Sequence, residues 1–202
     1  MTKSRLTIIL IIFVGLLALV GSYWYTTLKA APGSGASQVD PSVRVGGPFV
    51  MVDQNGQTVT EDILKGKWSA VFFGFTYCPD ICPLTLQHLN AVQKELGDKG
   101  KDFQIVFVTV DPERDSPAAM KSYIESPGFP GGVIGLTGTP EQVDVIAKAY
   151  RATYSKSGEG EDYTMNHTAV IYLMNPDGQF VLPLGREISP KDSADMIVKA
   201  MK

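Results

Sequence analysis

Residues 68–83 read Trp-Ser-Ala-Val-Phe-Phe-Gly-Phe-Thr-Tyr-Cys-Pro-Asp-Ile-Cys-Pro. The first eight residues are an apolar, aromatic run of strand length, which is typical of a strand buried on both faces of a parallel sheet. A helical pattern follows from Pro79 to about Leu96. The only two cysteines of the chain, Cys78 and Cys82, lie where the strand gives way to the helix. Chemistry in α/β folds belongs at the carboxyl ends of such strands, so this turn is the candidate functional site.

Strand and helix patterns alternate on both sides of this stretch. The Asn55-Gly56 pair between residues 49–52 and 57–60 predicts a β-hairpin. Residues 154–164 are polar and contain glycine, and they predict a loop or an irregular hairpin. The remaining segments predict strands at 105–110, 131–138, 168–173 and 179–182, and helices at 116–125, 139–151 and 189–201. This order predicts an α/β, thioredoxin-like fold, with a central mixed sheet flanked by helices and an N-terminal β-hairpin extension.

The N-terminal segment predicts a single transmembrane helix. Nearly every side chain in residues 6–25 is apolar or aromatic, which reaches the ~20 residues that a spanning helix needs. Lys3 and Arg5 precede the run, so the positive-inside rule keeps the N-terminus in the cytoplasm. A cleaved signal peptide is the alternative, but its apolar core is usually ~7–15 residues long, and residues 28–31 form poor cleavage sites.

Three segments are therefore expected: a membrane anchor at 1–25, a flexible linker rich in Gly, Ser and Pro at 26–42, and a folded domain at 43–202 outside the cytoplasm. The formal net charge of -3 gives no reason to expect nucleic-acid binding.

The spacing of Cys78 and Cys82 restricts their chemistry. A thiol pair outside the cytoplasm tends to oxidise, but a bridge across so few residues constrains the unfolded chain little, which disfavours a purely structural disulfide. The helix N-terminus favours the thiolate form. Two thiolates four residues apart can form a redox-active disulfide or bind Cu(I) or Zn(II). Pro83 is expected to remove one intrahelical hydrogen bond and to kink the first turn.

Two sulfurs seldom complete a metal site, so a third ligand is expected. His88 follows Cys82 by six residues and therefore points to a different side of the helix. His167 lies just before a predicted strand and can reach the sulfurs, although a hydrogen-bonded loop histidine is the alternative. Met165 is a possible soft neighbour, but a core position is the commoner role. Residues 111–115 bring charge to the same edge, where a solvated turn with an Asp–Arg pair is the alternative.

Three motifs together resemble the Sco/SenC family of membrane-anchored, thioredoxin-like copper proteins. The first is Gly-Phe-Thr-Tyr-Cys-Pro-Asp-Ile-Cys-Pro at 74–83, the second is Asp-Pro-Glu-Arg-Asp at 111–115, and the third is His-Thr-Ala-Val-Ile-Tyr-Leu at 167–173 with Pro-Asp-Gly at 176–178. The resemblance spans roughly residues 47–201, with the motifs in the family's order.

The resemblance implies that Cys78, Cys82 and His167 bind one copper ion, as Cu(I) or Cu(II). It also implies that Asp111 is a nearby acidic residue implicated in the site. The chain departs from the family at Asn166, where many relatives carry Asp, so no role is carried over to that position.

The resemblance implies a copper chaperone, an assembly factor rather than an enzyme, that supports the dinuclear copper site of cytochrome c oxidase. The implied partners are that site in subunit II and another periplasmic copper chaperone. A thiol-disulfide oxidoreductase that reduces the oxidase cysteines is the alternative. A peroxiredoxin-like peroxidase shares the fold, but only Thr76 resembles its site. The implied location is a bacterial-type inner membrane, with a periplasmic domain, or the equivalent intermembrane space.

Overall fold

The computed structural model describes residues 15–17, 20, 22, 24, 44–160 and 162–202. The predicted anchor and linker otherwise lie outside the described residues. None of the helices described is both long enough and apolar enough to cross a membrane. The chain divides into two units between Val43 and Arg44.

The second unit alternates strands and helices. Two 3-10 turns, Glu61–Leu64 and Gly97–Asp102, precede the third and fourth strands. The strands are β1 (Val50–Asp53), β2 (Thr58–Thr60), β3 (Trp68–Gly74), β4 (Phe103–Thr109), β5 (Ile134–Thr137), β6 (Tyr154–Ser157), β7 (Thr164–His167), β8 (Ile171–Met174) and β9 (Phe180–Leu184). The helices are α1 (Ile81–Glu95), α2 (Pro117–Ile124), α3 (Pro140–Tyr150) and α4 (Pro190–Ala200).

Seven strands form a mixed sheet in the order β2-β1-β5-β4-β3-β8-β9. The central strands β3, β4 and β5 are parallel, whereas β1 and β8 pair antiparallel with their neighbours. The N-terminal hairpin β1–β2 extends one side of the sheet. The predicted thioredoxin-like fold with a central mixed sheet is confirmed. The carboxyl ends of β3, β4 and β5 meet at one edge, where the candidate site lies.

The side chains of β3 alternate between two apolar clusters, one on each face of the sheet. Phe73 packs on the face covered by α3, and Phe72 packs on the face covered by α1 and α4. Both rings are buried, and each contributes roughly 1.5–3 kcal/mol to folding by leaving water. Burial on both faces is the reason that this strand reads as a continuous apolar run.

Three helices begin within one residue of their predicted starts, each after a capping residue. Ser116, Thr139 and Ser189 each accept a hydrogen bond from the backbone N–H three residues later, and a proline follows each of them. The α3 cap is a capping box, because the Gln142 side chain also accepts from the Thr139 N–H. These contacts satisfy N–H groups that a helix end would otherwise leave unpaired.

The first helix departs from its prediction. It begins at Ile81 rather than at Pro79, so Cys78 lies in the turn before the helix. Pro83 is then the third helical residue, a position whose N–H has no partner inside any helix. The first N–H to form an intrahelical hydrogen bond is that of Leu84, which donates to the Asp80 carbonyl at 3.2 Å. The predicted loss of an intrahelical hydrogen bond at Pro83 is therefore wrong.

The polar segment after α3 is a hairpin, not a loop. Strands β6 and β7 pair antiparallel as a separate two-stranded sheet, with Tyr154 opposite His167. The strand predicted from residue 168 begins only at Ile171. His167 is thus the last residue of β7, four residues before the main sheet resumes.

Candidate metal centre

Cys78 lies in the turn that joins β3 to α1. Its N–H donates to the Phe75 carbonyl at 3.2 Å, and its sulfur accepts from the Cys82 N–H at 3.4 Å. Asp80 occupies the N-cap position, yet its side chain makes no capping hydrogen bond within the described chain. The half-buried sulfur of Cys78 therefore serves as an acceptor at the helix N-terminus.

Cys82 is the second residue of α1, and it is only 1% exposed. Its sulfur packs against the Gly74 backbone beside the Phe107 ring. A Cβ at position 74 would lie 2.6 Å from the sulfur and 2.5 Å from that ring. Glycine is therefore required at the end of β3 to give the sulfur its position.

His167 ends β7 with its ring directed to the cysteines. Its Nδ1 lies 3.1 Å from the Thr168 carbonyl oxygen. Because a carbonyl only accepts, Nδ1 carries the proton, and the Nε2 lone pair is left for a ligand. Nε2 lies 3.8 Å from the Cys82 sulfur. The ring packs edge to face on Phe75, with 5.9 Å between the ring centroids.

The three residues that the sequence proposed as ligands come together. One ligand atom each from Cys78, Cys82 and His167 lies within 4.8 Å of the other two. His88 is elsewhere, with its Nε2 3.5 Å from the Ser193 hydroxyl of α4. Met165 packs against the apolar core, the commoner role for such a residue.

The pKa values of the two thiols shift in opposite directions. The pKa of Cys78 falls to about 5, chiefly because the Cys82 thiol donates a hydrogen bond to its sulfur and also because backbone N–H groups, including that of Ile81, point at it. Burial opposes this shift. The pKa of Cys82 rises, because its proton is held in that hydrogen bond and because the sulfur is buried. Without metal, the reduced site therefore holds one thiolate and one thiol.

The spacing of the donors fits a soft metal ion. A metal about 2.3 Å from sulfur and about 2.0 Å from imidazole nitrogen spans the observed 3.8 Å at an angle of roughly 120°. Thiolate and imidazole donors suit copper and zinc. The Nδ1–H bond from His167 to a backbone carbonyl fixes the ring orientation, as is usual for histidine ligands.

Asp115 is a neighbour of the site whose burial the sequence did not reveal. It is fully buried, and its carboxylate accepts from the Thr76 N–H, the Thr76 hydroxyl and the Thr109 hydroxyl. Burial raises its pKa. These bonds tie the turn that carries Cys78 to the end of β4. The predicted alternative of a solvated turn is therefore wrong in its solvation, although its Asp–Arg pair forms between Asp111 and Arg114. An acidic residue within a few positions of a buried strand was the available signal.

Asp111 is also buried, at 2% exposure. Its carboxylate accepts from the Tyr163 hydroxyl at 2.6 Å and pairs with the Arg114 Nε at 2.5 Å. Among the described residues it lies outside the three-donor group. It contacts instead the hairpin that ends in His167. Asn166, the point of departure from the family, is exposed.

The SCO1/SenC family model matches residues 37–202. The chain is 37% identical to the mitochondrial protein SCO2 of Saccharomyces cerevisiae, over 97% of this chain and 66% of that one. It is 43% identical to the mitochondrial protein SCO1 of the same yeast, over 78% of this chain and 54% of that one. The chain thus spans about half to two thirds of the length of these relatives.

Solved structures agree with these matches. Bradyrhizobium japonicum ScoI with copper bound is 41% identical with a TM-score of 0.71, and the match covers 77% of this chain and 98% of that one. A second structure is that of BsSco, a member of the Sco family of cytochrome c oxidase assembly proteins in which a disulfide switch was identified. BsSco is 31% identical with a TM-score of 0.61, and the match covers 79% of this chain and 93% of that one. The chain therefore belongs to the SCO1/SenC family.

Proposed function

We propose that this chain is a copper chaperone that binds one copper ion through Cys78, Cys82 and His167 and supports the assembly of cytochrome c oxidase. The observation that carries the proposal is the group of two sulfurs and one imidazole nitrogen within 4.8 Å. Two comparisons add support: ScoI was solved with copper bound, and BsSco belongs to a family of oxidase assembly proteins.

The exposure of the site suits transfer better than storage. Cys82 is buried, whereas Cys78 and His167 are half-buried and border solvent. Three protein ligands leave a coordination position open, through which an incoming thiolate can bind the same ion before a chaperone ligand leaves. Copper is in this proposal the cargo of the protein.

The proposed acceptor is the dinuclear copper site in subunit II of the oxidase, and the proposed donor is another periplasmic copper chaperone. Residues 1–25 are proposed to anchor the chain in a bacterial-type inner membrane, or its mitochondrial counterpart, with the N-terminus in the cytoplasm. The apolar run at 6–25 and the basic residues before it support this orientation. A linker at 26–42 then gives the domain reach above the membrane.

Copper titration of the full-length chain in detergent tests the proposal. The reduced wild type is expected to bind one equivalent of Cu(II), and Cys78→Ser, Cys82→Ser and His167→Ala are each expected to weaken this binding. His88→Ala is the matched control, because His88 contacts α4 rather than the cysteines. Equal copper affinity in all five proteins would refute the proposal.

The two cysteines also favour a second function, reduction of the oxidase cysteines. The sulfurs differ in exposure and proton affinity in the way that an attacking and a resolving thiol differ. The Cys78 thiolate attacks a partner disulfide, which forms a mixed disulfide and releases one partner thiolate. That thiolate takes the Cys82 proton, and Cys82 then displaces the second partner thiolate. The products are a Cys78–Cys82 disulfide and a reduced partner.

The two functions differ in their need for His167. Thiol exchange requires only the sulfurs, whereas Cu(II) binding depends on the imidazole. We expect the dithiol form of His167→Ala to reduce an oxidised subunit II copper-site fragment at close to the wild-type rate, while its affinity for Cu(II) falls. A wild-type chain that fails to reduce the fragment would leave copper binding as the only proposed function.

A further inference from the structure

The guanidinium group of Arg114 joins the two separate parts of the metal centre. We propose that Arg114 is a positioning residue that holds the hairpin ending in His167 against the turn that carries Cys78. In this way it fixes the third ligand without touching the ion. The inference rests on the proposed copper site and names a residue that acts on it.

The first set of contacts is to the hairpin. Arg114 Nη1 donates to the Tyr163 carbonyl at 3.0 Å, and the guanidinium carbon lies 3.6 Å from the centroid of the Tyr163 ring. Tyr163 comes directly before β7, whose last residue is His167. Arg114 therefore contacts both the backbone and the ring of Tyr163, which precedes His167 by four residues in the chain.

The second set of contacts is to the cysteine turn. The guanidinium carbon lies over the Tyr77 ring at 4.6 Å and over the Phe75 ring at 5.9 Å. Tyr77 directly precedes Cys78, and Phe75 packs edge to face on His167. One cationic group therefore contacts aromatic rings from both segments that supply ligands.

Arg114 is itself held in place. Its Nε pairs with Asp111, and the Tyr163 hydroxyl donates to the other oxygen of that carboxylate. Asp111, Arg114 and Tyr163 thus form a closed set of contacts in which the side chains of the ion pair are only 3% and 15% exposed. A planar guanidinium can pair, donate and stack at once, and the point charge of a lysine cannot reproduce this. The acidic residue that the family resemblance emphasised acts here through Arg114.

Lys156 adds a contact from the other hairpin strand. Its Nζ lies 3.6 Å from the centroid of the Tyr163 ring and 3.5 Å from a carboxylate oxygen of Glu113. Strand β6 is therefore tied to the loop after β4, in addition to the segment directly before β7. The Glu113 pair is largely exposed and holds the hairpin weakly, which leaves the buried Arg114 contacts as the main tether.

The proposal predicts an effect that depends on the oxidation state of copper. Two thiolates satisfy Cu(I), whereas Cu(II) depends more on nitrogen donors such as imidazole. A loosened hairpin withdraws His167 and leaves both sulfurs in place. Loss of Arg114 should therefore weaken Cu(II) binding about 10- to 100-fold, as losses of groups that orient metal ligands do, and leave Cu(I) binding close to the wild type.

The test uses the full-length chain in detergent, with Arg114→Lys as the variant and Arg186→Lys, an exposed arginine, as the matched control. Affinities are measured by competition with a chromophoric chelator for Cu(I) and for Cu(II), and nitrogen coupling is read from the EPR spectrum of the Cu(II) form. In Arg114→Lys we expect the loss in Cu(II) affinity stated above together with weaker nitrogen coupling, and in Arg186→Lys neither. Tyr163→Phe, which removes one hydroxyl and keeps the ring, is expected to shift Cu(II) affinity in the same direction by less, and it replaces Arg114→Lys if that variant does not fold.

Hydrogen exchange in the metal-free chain is a second readout. The amides of residues 164–167 should exchange faster in Arg114→Lys than in the control. Equal losses of Cu(I) and Cu(II) affinity, or unchanged Cu(II) affinity and unchanged exchange, would overturn the inference. Failure of the wild type to bind copper would instead refute the proposed function, and hydrogen exchange would still decide whether Arg114 holds the hairpin.

Discussion

The Nε2 atom of His167 lies 3.8 Å from the Sγ atom of Cys82, although 85 residues separate them in the chain. The pairing of β3 with β8 explains this approach. The two strands are antiparallel neighbours with Phe72 opposite Ile171, so the end of one meets the beginning of the other. Cys82 follows the first strand and His167 precedes the second. The register of β3 against β8 therefore brings Cys82 and His167 close together.

Replacement of His167 by alanine should lower Cu(II) affinity more than ~100-fold, because the loss of a ligand exceeds the 10- to 100-fold cost of losing a group that merely orients one. Competition titration of the reduced chain measures the effect. His88→Ala should retain wild-type affinity. Similar losses in the two variants would show that the third donor is not His167.

Gly74→Ala should destabilise the protein by about 1–3 kcal/mol, the usual cost of overpacking a core. The added Cβ would lie 2.6 Å from the Cys82 sulfur, so copper affinity should fall as well. Urea unfolding and copper titration check both effects. At Gly131 an added Cβ would meet no atom of the described chain within 4 Å apart from its own chain neighbours, so Gly131→Ala should change stability by less than about 0.5 kcal/mol. Equal effects at the two glycines would contradict the close contact at position 74.

Alkylation of Cys78 by iodoacetamide should follow its lowered pKa. The rate in the reduced, metal-free protein is expected to rise through a midpoint near pH 5 and to level off by about pH 7. Cys82→Ala removes the hydrogen bond that contributes most to the shift, so the midpoint should move up toward ~8.5. A wild-type midpoint near 8.5 would contradict the thiol–thiolate bond.

The same shift links pH to stability. The folded pKa of Cys78 lies below its unfolded value of about 8.5, so the thiolate contributes stability that is complete above that pH. This contribution is lost as the pH falls through about 5. Unfolding of the reduced protein, compared with Cys78→Ala across this window, should show the loss in the wild type alone.

Asp115→Ala should cost roughly 2 kcal/mol or more, because it leaves buried donors of Thr76 and Thr109 without their acceptor. Urea unfolding measures the loss. Asp98→Ala is the control, since that side chain is 98% exposed and its pair with Lys101 is worth less than about 1 kcal/mol. If the two variants lost equal stability, the buried role of Asp115 would be wrong.

The elements of the fold could be predicted because their signals are local. The apolar run of β3, the Asn55-Gly56 turn and the Ser-Pro and Thr-Pro caps depend on residues within a few positions of one another. The helix start at Ile81 was missed by two residues because the acceptor at that helix end is the Cys78 sulfur rather than a usual cap. For the β6–β7 hairpin the sequence allowed either a loop or an irregular hairpin, because a polar segment carries no apolar pattern that would indicate strand pairing.

The burial of Asp111 and Asp115 could not be predicted from the sequence, for a related reason. An acidic pair after a strand reads equally well as a solvated turn, and only the neighbouring segments decide which it is. Here Thr76 of the β3–α1 turn donates a hydrogen bond to Asp115, and Tyr163 of the hairpin donates one to Asp111. Partners so distant in sequence leave no periodic signal.

The sequence by itself determined the donor types, their order along the chain and the placement of Cys78 and Cys82 at a strand-to-helix junction. These features follow from the residue types and from local patterns, because the signals for a strand end and a helix start lie within a few residues of each other. Only the tertiary structure decided that His167 reaches Cys82 with its Nε2 free and that Arg114 ties the two segments together. Those relationships depend on strand register and on packing across the sheet edge, which join residues that have no local contact.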